Sequence, residues 1–387
     1  MPPDAHVKLF IPGPVEVRPQ ILAAQTLPMI GHRSPEYAEL HARIIPKVRP
    51  LFGVAGRVFI VTASGSGLHE AAVRNCVGHR CLCLVNGAFG ARWHQVALAN
   101  GKQADALEAV WGVAIRPEQV DAQLKTGNYD AITLVFNETS TGLLNPLPEI
   151  AEVVRQYPDV LLLVDAVSAA GGVEIRADEW GVDVCLTSSQ KALALPPGLA
   201  LCSVSDRAMA RAESIPHRGW YFDFLAYEKY AAKNHTPATP AISLMQALDV
   251  QLDAIAAEGW EARFARHLQL MRQVDAWVDA NGFGFFAEAG YHSPTVTAVR
   301  NTRGIDVGAL NTYLRERGML ISDGYGPLRG ETFRIAHMGD VTEGDVSTLL
   351  EAVSDFLERE RRVWGVLALK GNAHHKKSKG VSSGGGS

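Results

Sequence analysis

Lys191 and Asp165 are two residues whose types and settings could do chemistry together. Lys191 follows a short apolar run, Val184-Cys-Leu-Thr-Ser-Ser-Gln-Lys191, and so arrives in a Ser/Gln-rich turn. Asp165 directly follows a second apolar run, Val160-Leu-Leu-Leu-Val164. A carboxylate against such a run is costly to desolvate unless a cation pairs with it. An amine and a carboxylate at the ends of neighbouring buried strands can hold an aldehyde cofactor between them. Pyridoxal 5'-phosphate needs both partners, a lysine for the Schiff base and an acid for the ring nitrogen. Taken alone, Lys191 reads as a solvated surface lysine, and Asp165 reads equally well as a helix N-cap.

Other strand ends add to the pair. After Val58-Phe-Ile-Val-Thr62 comes Ala63-Ser64-Gly65-Ser66-Gly67 and then a helical stretch. A Ser/Gly loop feeding a helix N-terminus offers backbone N–H groups, hydroxyls and the positive end of the dipole to a phosphate. An ordinary capped turn explains the same residues, and the loop fits neither the P-loop nor Gly-x-Gly-x-x-Gly. After Cys81-Leu-Cys-Leu-Val85, glycines bracket Phe89, an aromatic able to stack on a flat ring although aromatics are more often core. After Ala131-Ile-Thr-Leu-Val-Phe136, Asn137-Glu-Thr-Ser140 supplies hydroxyls for a phenolic oxygen, or simply a turn. Gln190 precedes Lys191 and closes the set.

The elements that must position these groups alternate along the first half of the chain. Apolar runs at 58–62, 81–85, 131–137, 160–164, 182–187 and 199–204 read as strands, several buried on both faces. Amphipathic stretches at 68–77, 90–100, 117–125 and 147–156 separate them. This is the pattern of an α/β fold with a mostly parallel central sheet flanked by helices, whose ligands gather at the carboxyl ends of the strands. The second half reads as long helices at 240–257 and 260–280, strands near 295–299, 319–322 and 332–336, and helices at 308–317 and 343–360. We expect an N-terminal extended segment (1–20), a large cofactor-binding α/β domain (21–258), a smaller C-terminal α+β domain (259–370) and a disordered basic, Gly/Ser-rich tail (371–387).

Composition bounds the function. With 387 residues, 47% hydrophobic and 20% charged, the chain suits a soluble globular enzyme of two domains. A net charge of −4 does not point to nucleic acid or a membrane as partner, and the N-terminus lacks the apolar core of a signal peptide. These features predict a cytoplasmic protein. The five cysteines have no metal-ligand spacing and read as buried free thiols.

From about residue 10 to residue 360 the chain resembles a class V aminotransferase of the fold-type I pyridoxal-phosphate enzymes, near the alanine–glyoxylate and serine–pyruvate group. The motifs are Ile11-Pro-Gly13-Pro-Val-Glu16, Met29-Ile-Gly-His32-Arg33-Ser-Pro35, Ser64-Gly-Ser-Gly67, Asn86-Gly-Ala-Phe89-Gly90, Glu138-Thr-Ser140-Thr-Gly142, Val164-Asp-Ala-Val-Ser168, Ser188-Ser-Gln-Lys-Ala192 and Phe333-Arg-Ile335. The resemblance implies that Lys191 forms the Schiff base, Asp165 pairs with the ring nitrogen and Ser140 lies near the ring oxygen. Ser64, Gly65, Ser66 and Gln190 would hold the phosphate, and Phe89 would stack on the ring. Arg334 would grip the substrate α-carboxylate, with Gly13, His32 and Arg33 also facing substrate; alone, Arg334 reads as a surface strand arginine. It further implies a homodimer with shared active sites. His32-Arg33 and the segment Asn234-His-Thr236-Pro-Ala-Thr239-Pro240 would come from the neighbouring subunit, with Thr239 favoured over Thr236 at the phosphate.

The function expected is ping-pong transfer of an amino group from a small amino acid (alanine, serine or aspartate) to a 2-oxo acid (glyoxylate or pyruvate). Alternatives are a pyridoxal-phosphate lyase such as a cysteine desulfurase and an aminotransferase for aminoethylphosphonate. Ranked last is a domain binding some other phosphate ligand, which leaves Lys191 and Asp165 without roles.

Overall fold

Runs too apolar to face water on either side become the interior of a sheet. A computed structural model describes residues 6–377, with side chains through Arg361. Its strands are β1 (Lys8–Phe10), β2 (Arg57–Thr62), β3 (Arg80–Val85), β4 (Gln103–Glu108), β5 (Ala131–Val135), β6 (Asn137–Glu138), β7 (Leu143–Leu144), β8 (Leu161–Asp165), β9 (Val184–Ser188), β10 (Leu199–Val204), β11 (Gly284–Phe285), β12 (Val296–Arg300), β13 (Met319–Asp323) and β14 (Thr332–Ala336). The large sheet has the order β2-β10-β9-β8-β5-β3-β4. All its pairings are parallel except those of β10, which runs against both β2 and β9. Apolar side chains on its two faces form separate core clusters, each covered by helices.

Six of these seven strands coincide with the apolar runs. The seventh, β4, carries Gln-Ala-Asp-Ala-Leu-Glu with mostly exposed or half-buried positions, because it is the sheet edge. Its polarity hides it from a search for buried strands. The helix Pro35–Phe52 was also unanticipated, since it contains Pro46 and Pro50; burial of Tyr37, Leu40, Ile44, Val48 and Leu51 against the large core outweighs the propensity penalty.

The second sheet has the order β1-β13-β14-β12-β11. Its strand β1, within the expected N-terminal extended segment, pairs parallel with β13, so residues 8–10 form an edge of the C-terminal sheet. Gly259, with φ +86°, separates the helices Ile242–Glu258 and Trp260–Ala280. Ile255 of the first helix packs in the large core, whereas Leu270, Val274 and Val278 of the second pack with the smaller sheet. The last helix continues as backbone to Lys377. Residues 371–377 of the expected tail are therefore helical: lack of core-forming side chains says nothing against local helix formers such as Ala and Lys. Residues 378–387 lie outside the described residues.

Candidate active site

Strands β8 and β9 are parallel neighbours, with Asp165 in register with Leu186. Asp165 and the Ser188–Lys191 turn therefore emerge side by side at the carboxyl ends of the sheet. The Lys191 amine donates to the carbonyl oxygen of Pro12. Gly13 passes so close that a Cβ there, at φ +128°, would stand 2.8 Å from the Lys191 Nζ. Burial holds the Lys191 amine down to about 8, the Arg334 and Arg92 guanidinium groups push the same way, and Asp165 opposes them.

Asp165 is buried and has both oxygens engaged. Oδ1 accepts from the Val167 N–H at 2.7 Å, and Oδ2 lies 2.7 Å from His69 Nε2. His69 is itself buried and stacks on Trp93 with ring centroids 4.5 Å apart and planes 13° from parallel. Its Nδ1 has no hydrogen-bond partner among the described residues. A neutral imidazole donating through Nε2 satisfies the carboxylate without leaving a second N–H stranded.

Glu138 organises the neighbouring loop. Its Oε1 accepts from the Ser140 hydroxyl at 2.6 Å and the Ser140 N–H at 3.1 Å. Its Oε2 accepts from the Phe89 and Gly90 N–H groups at 3.0 and 3.1 Å, at the N-terminus of the helix Ala88–Ala99. The Ser140 oxygen in turn accepts from the Ala88 N–H at 3.0 Å. Burial raises the Glu138 carboxyl, while these donors favour its charged form. A Cβ at residue 87 would lie 2.3 Å from Glu138 Cγ, so only glycine fits there. Glu138→Gln places an NH₂ against one of these donor pairs. We expect it to lower folding stability by about 2–3 kcal/mol, the scale of a charged hydrogen bond lost in a buried site. Denaturant titration checks this, and a loss below about 0.5 kcal/mol would contradict the role of the charge.

Ser64 is the N-cap of the helix Gly65–Cys76, but its hydroxyl makes no cap hydrogen bond. A Cβ at Gly65 would be 2.7 Å from Val167 Cγ2 and 3.5 Å from the Ser188 Oγ, which brings this loop against the turns after Asp165 and before Lys191. Ser66 occupies the first turn of the same helix. Gln190 Oε1 and Ser188 Oγ are buried with no hydrogen-bond partner among the described residues.

Arg334 is central in β14, 8% exposed, rather than a surface arginine. Its Nε donates to the Asp323 carbonyl at 3.2 Å, and its guanidinium stands 5.5 Å from the Tyr325 ring centroid. Burial lowers it to about 10, against the countering influence of Tyr325, Asp323 and Glu138. Among the described residues no carboxylate lies within ion-pair distance of it. Tyr325 also accepts a hydrogen bond from Arg92 at 2.7 Å and packs 5.5 Å from Phe89, whose ring faces the Arg92 guanidinium at 4.7 Å.

The sequence matches the aminotransferase class-V family model over residues 23–328, most of its length. This chain belongs to the class-V aminotransferases. It is 39% identical over 357 residues to an uncharacterized aminotransferase of Methanocaldococcus jannaschii, covering 90% of this chain and 92% of that one. It is 35% identical to a protein named soluble hydrogenase, small subunit, of a Synechococcus strain, over 90% and 92% of the two chains. An L-aspartate–glyoxylate aminotransferase of Paracoccus denitrificans is 32% identical over 87% of each. Among solved structures, alanine–glyoxylate aminotransferase from Nostoc superposes with a TM-score of 0.87 at 30% identity, over 92% of this chain and 97% of that one.

Among the described residues no hydrogen bond joins the expected site residues His32, Arg33, Thr236 or Thr239 to Lys191. Thr236, Thr239 and Thr62 line a pocket at β2, the edge of the large sheet, together with the exposed aromatics Trp220 and Tyr221. The Thr236 hydroxyl donates to the Ala238 carbonyl at 2.8 Å. Arg33 donates to the carbonyls of Thr236 and Pro237 at 2.6 and 2.9 Å, and His32 precedes it, half-buried. Of the residues expected from the sequence, Lys191, Asp165, Ser140, Phe89, Gly65 and Arg334 lie in or against this set of contacts, which also includes His69, Trp93, Arg92 and Tyr325, to which the sequence assigned no role. Of these only His69 had a local signal, as a polar residue on the buried face of the helix that follows the Ser/Gly loop.

The residues present suit pyridoxal phosphate. A buried carboxylate stands beside the amine, burial lowers the amine to about 8, and the unpartnered buried hydroxyl of Ser188 adjoins the N-terminus of the helix Gly65–Cys76.

Proposed function

We propose that this aminotransferase binds pyridoxal phosphate through Lys191 and moves an amino group from a small amino acid, with aspartate, serine or alanine as donor, to glyoxylate or pyruvate. The observation that carries this reading is geometric: the Lys191 amine follows β9 while buried Asp165 ends the parallel neighbour β8, so amine and carboxylate emerge side by side, with burial lowering the amine to about 8. When bound, the cofactor supplies an electron sink for the carbanion formed at the substrate Cα.

The protein's own groups do the rest. Lys191, lowered to about 8 and so able to change protonation state not far above neutral pH, takes the α-proton as base and returns it as acid. Asp165, oriented by His69 and the Val167 N–H, keeps the ring nitrogen cationic. Ser140 is assigned to the ring oxygen and Phe89 to the ring face, both held by Glu138. Ser64, Gly65, Ser66 and Gln190 are assigned to the phosphate. Arg334 is assigned to the α-carboxylate, which fits a buried guanidinium without a carboxylate of its own. Gly13 leaves room at the amine.

A homodimer with shared sites supports roles for His32, Arg33, Thr236 and Thr239 that one chain alone does not provide, Thr239 being the exposed threonine. The desulfurase alternative finds little support, because all five cysteines are buried and burial raises Cys76, Cys185 and Cys202. The test is a half-reaction screen. Mixing the pyridoxal form with aspartate, serine, alanine, cysteine and aminoethylphosphonate should bleach the visible band with the first three. Bleaching confined to aminoethylphosphonate, or sulfide release from cysteine, would overturn the assignment.

A further inference from the structure

Arg263 lies in the first turns of the helix Trp260–Ala280, just past the break at Gly259, and its side chain is 1% exposed. A guanidinium is costly to bury unless its donors are met. Here Nε donates to the Gly171 carbonyl at 2.9 Å and Nη2 to the Ala192 carbonyl at 2.7 Å. Nη1 donates to Glu258 Oε2 at 2.7 Å and Asp340 Oδ1 at 3.1 Å. The two carbonyls belong to the turns that follow Asp165 and Lys191, and Ala192 adjoins Lys191 directly. These turns touch, since a Cβ at Gly171 would be 3.4 Å from the Ala192 oxygen.

The carboxylate side leads to the other half of the site. Asp340 sits on the segment leaving β14, the strand of Arg334, and also accepts from Arg18 Nε at 2.6 Å and Gln251 Nε2 at 3.0 Å. Arg266 repeats the pattern nearby: it donates to Glu258 at 2.7 Å, to the Gly339 carbonyl at 3.0 Å and to the Val341 carbonyl at 2.8 Å. His267 donates through Nδ1 to the Arg263 carbonyl at 2.8 Å and accepts from the Gly339 N–H at 3.1 Å. Burial, with Arg263 and Arg266 beside it, keeps His267 neutral and so able to accept.

We infer that Arg263 is a positioning residue for amino transfer. It ties the Lys191 turn and the outgoing end of the Arg334 strand to one short stretch of helix, and so fixes the spacing between the amine and the guanidinium. The fork geometry is needed because one group must reach two carbonyls and two carboxylates at once; an ammonium cannot. A misplacement of about 1 Å between reacting groups costs roughly 100-fold in rate. The inference rests on the roles proposed for Lys191 and Arg334.

The test is a double-mutant cycle on the cofactor-loaded enzyme with Arg263→Lys, Arg334→Lys and the combination, measuring kcat and KM for the amino donor. Arg263→Lys should lower kcat by about 10- to 100-fold. The combination should lose far less than the product of the two single losses, because the alignment that Arg334 exploits is already gone. Arg263→Lys should also shift the pH midpoint of the bound cofactor's absorbance, which senses the surroundings of Lys191. Losses that simply multiply, with an unmoved midpoint and only a lower melting temperature, would mean Arg263 merely holds the fold, and the inference would fail. If Arg263→Lys does not fold, Asp340→Asn takes its place in the cycle, since it cuts the Arg334 arm and leaves both carbonyl contacts. A wild-type enzyme that shows no donor-dependent bleaching would instead defeat the proposed roles themselves.

Discussion

Lys191→Ala should lose amino transfer by at least about 10⁴-fold, since one side chain is both the covalent anchor and the proton carrier. The fold should survive, because the amine is pressed against the Pro12 carbonyl and Gly13 rather than joined to a network. Stopped-flow mixing with the best donor measures the loss, and the melting temperature controls for folding. Turnover within tenfold of wild type would remove Lys191 from the reaction. The same residue sets a pH dependence. Covalent capture of the aldehyde needs the uncharged amine, and burial and the two arginines hold Lys191 at about 8. The rate at which cofactor-free protein takes up pyridoxal phosphate should therefore rise as pH increases through about 8 and then level off. An ordinary lysine, near 10.4, would keep gaining well beyond that point.

What is locally legible is the apolar runs, which announce strands and so where Lys191, Asp165 and the Ser/Gly loop emerge; each of those alone also reads as a surface lysine, an N-cap or a capped turn, and only their coincidence at strand ends points to one cofactor. Arg334 was legible only through the family motif, since Thr332-Phe-Arg-Ile-Ala336 alone allows an outward arginine; its burial depends on Tyr325 and the Asp323 carbonyl, which arrive from β13 and the loop after it. His69, Trp93 and Glu138 show the larger gap. Each acts by accepting, donating or stacking across elements, and His69 meets a carboxylate 96 residues away in the chain. No spacing rule reports such a pair. In the fold, buried strands announced themselves by continuous apolarity, whereas β4 and β1 did not, because an edge strand and a three-residue strand have too little buried surface to leave a pattern.

Asp165→Asn should be the second most damaging change, lowering amino transfer by about 10²- to 10³-fold, the equivalent of about 3–4 kcal/mol, within the range lost when a buried charge is left without its partner. The substitution preserves shape, and its amide oxygen can still accept from either Val167 or His69, but not from both as the carboxylate does. If the amide keeps its oxygen toward Val167, its NH₂ faces His69, whose Nε2–H is then a clash of donors. His69 has a way out, because a neutral ring can move its proton to Nδ1, the atom that is unpartnered in the native site. The stacking on Trp93 holds the ring in place during that exchange. The exchange leaves the Nδ1–H without an acceptor, so we expect a stability cost of about 1–3 kcal/mol, while the electrostatic support for a cationic ring nitrogen disappears. Two measurements separate these effects. Nitrogen NMR of His69 in Asp165→Asn should show the tautomer reversed, and the half-reaction with the donor should slow far more than cofactor binding weakens. An Asp165→Asn enzyme with near-native half-reaction rates would mean that the carboxylate only orders its turn, and that the charge opposite the ring nitrogen comes from another group.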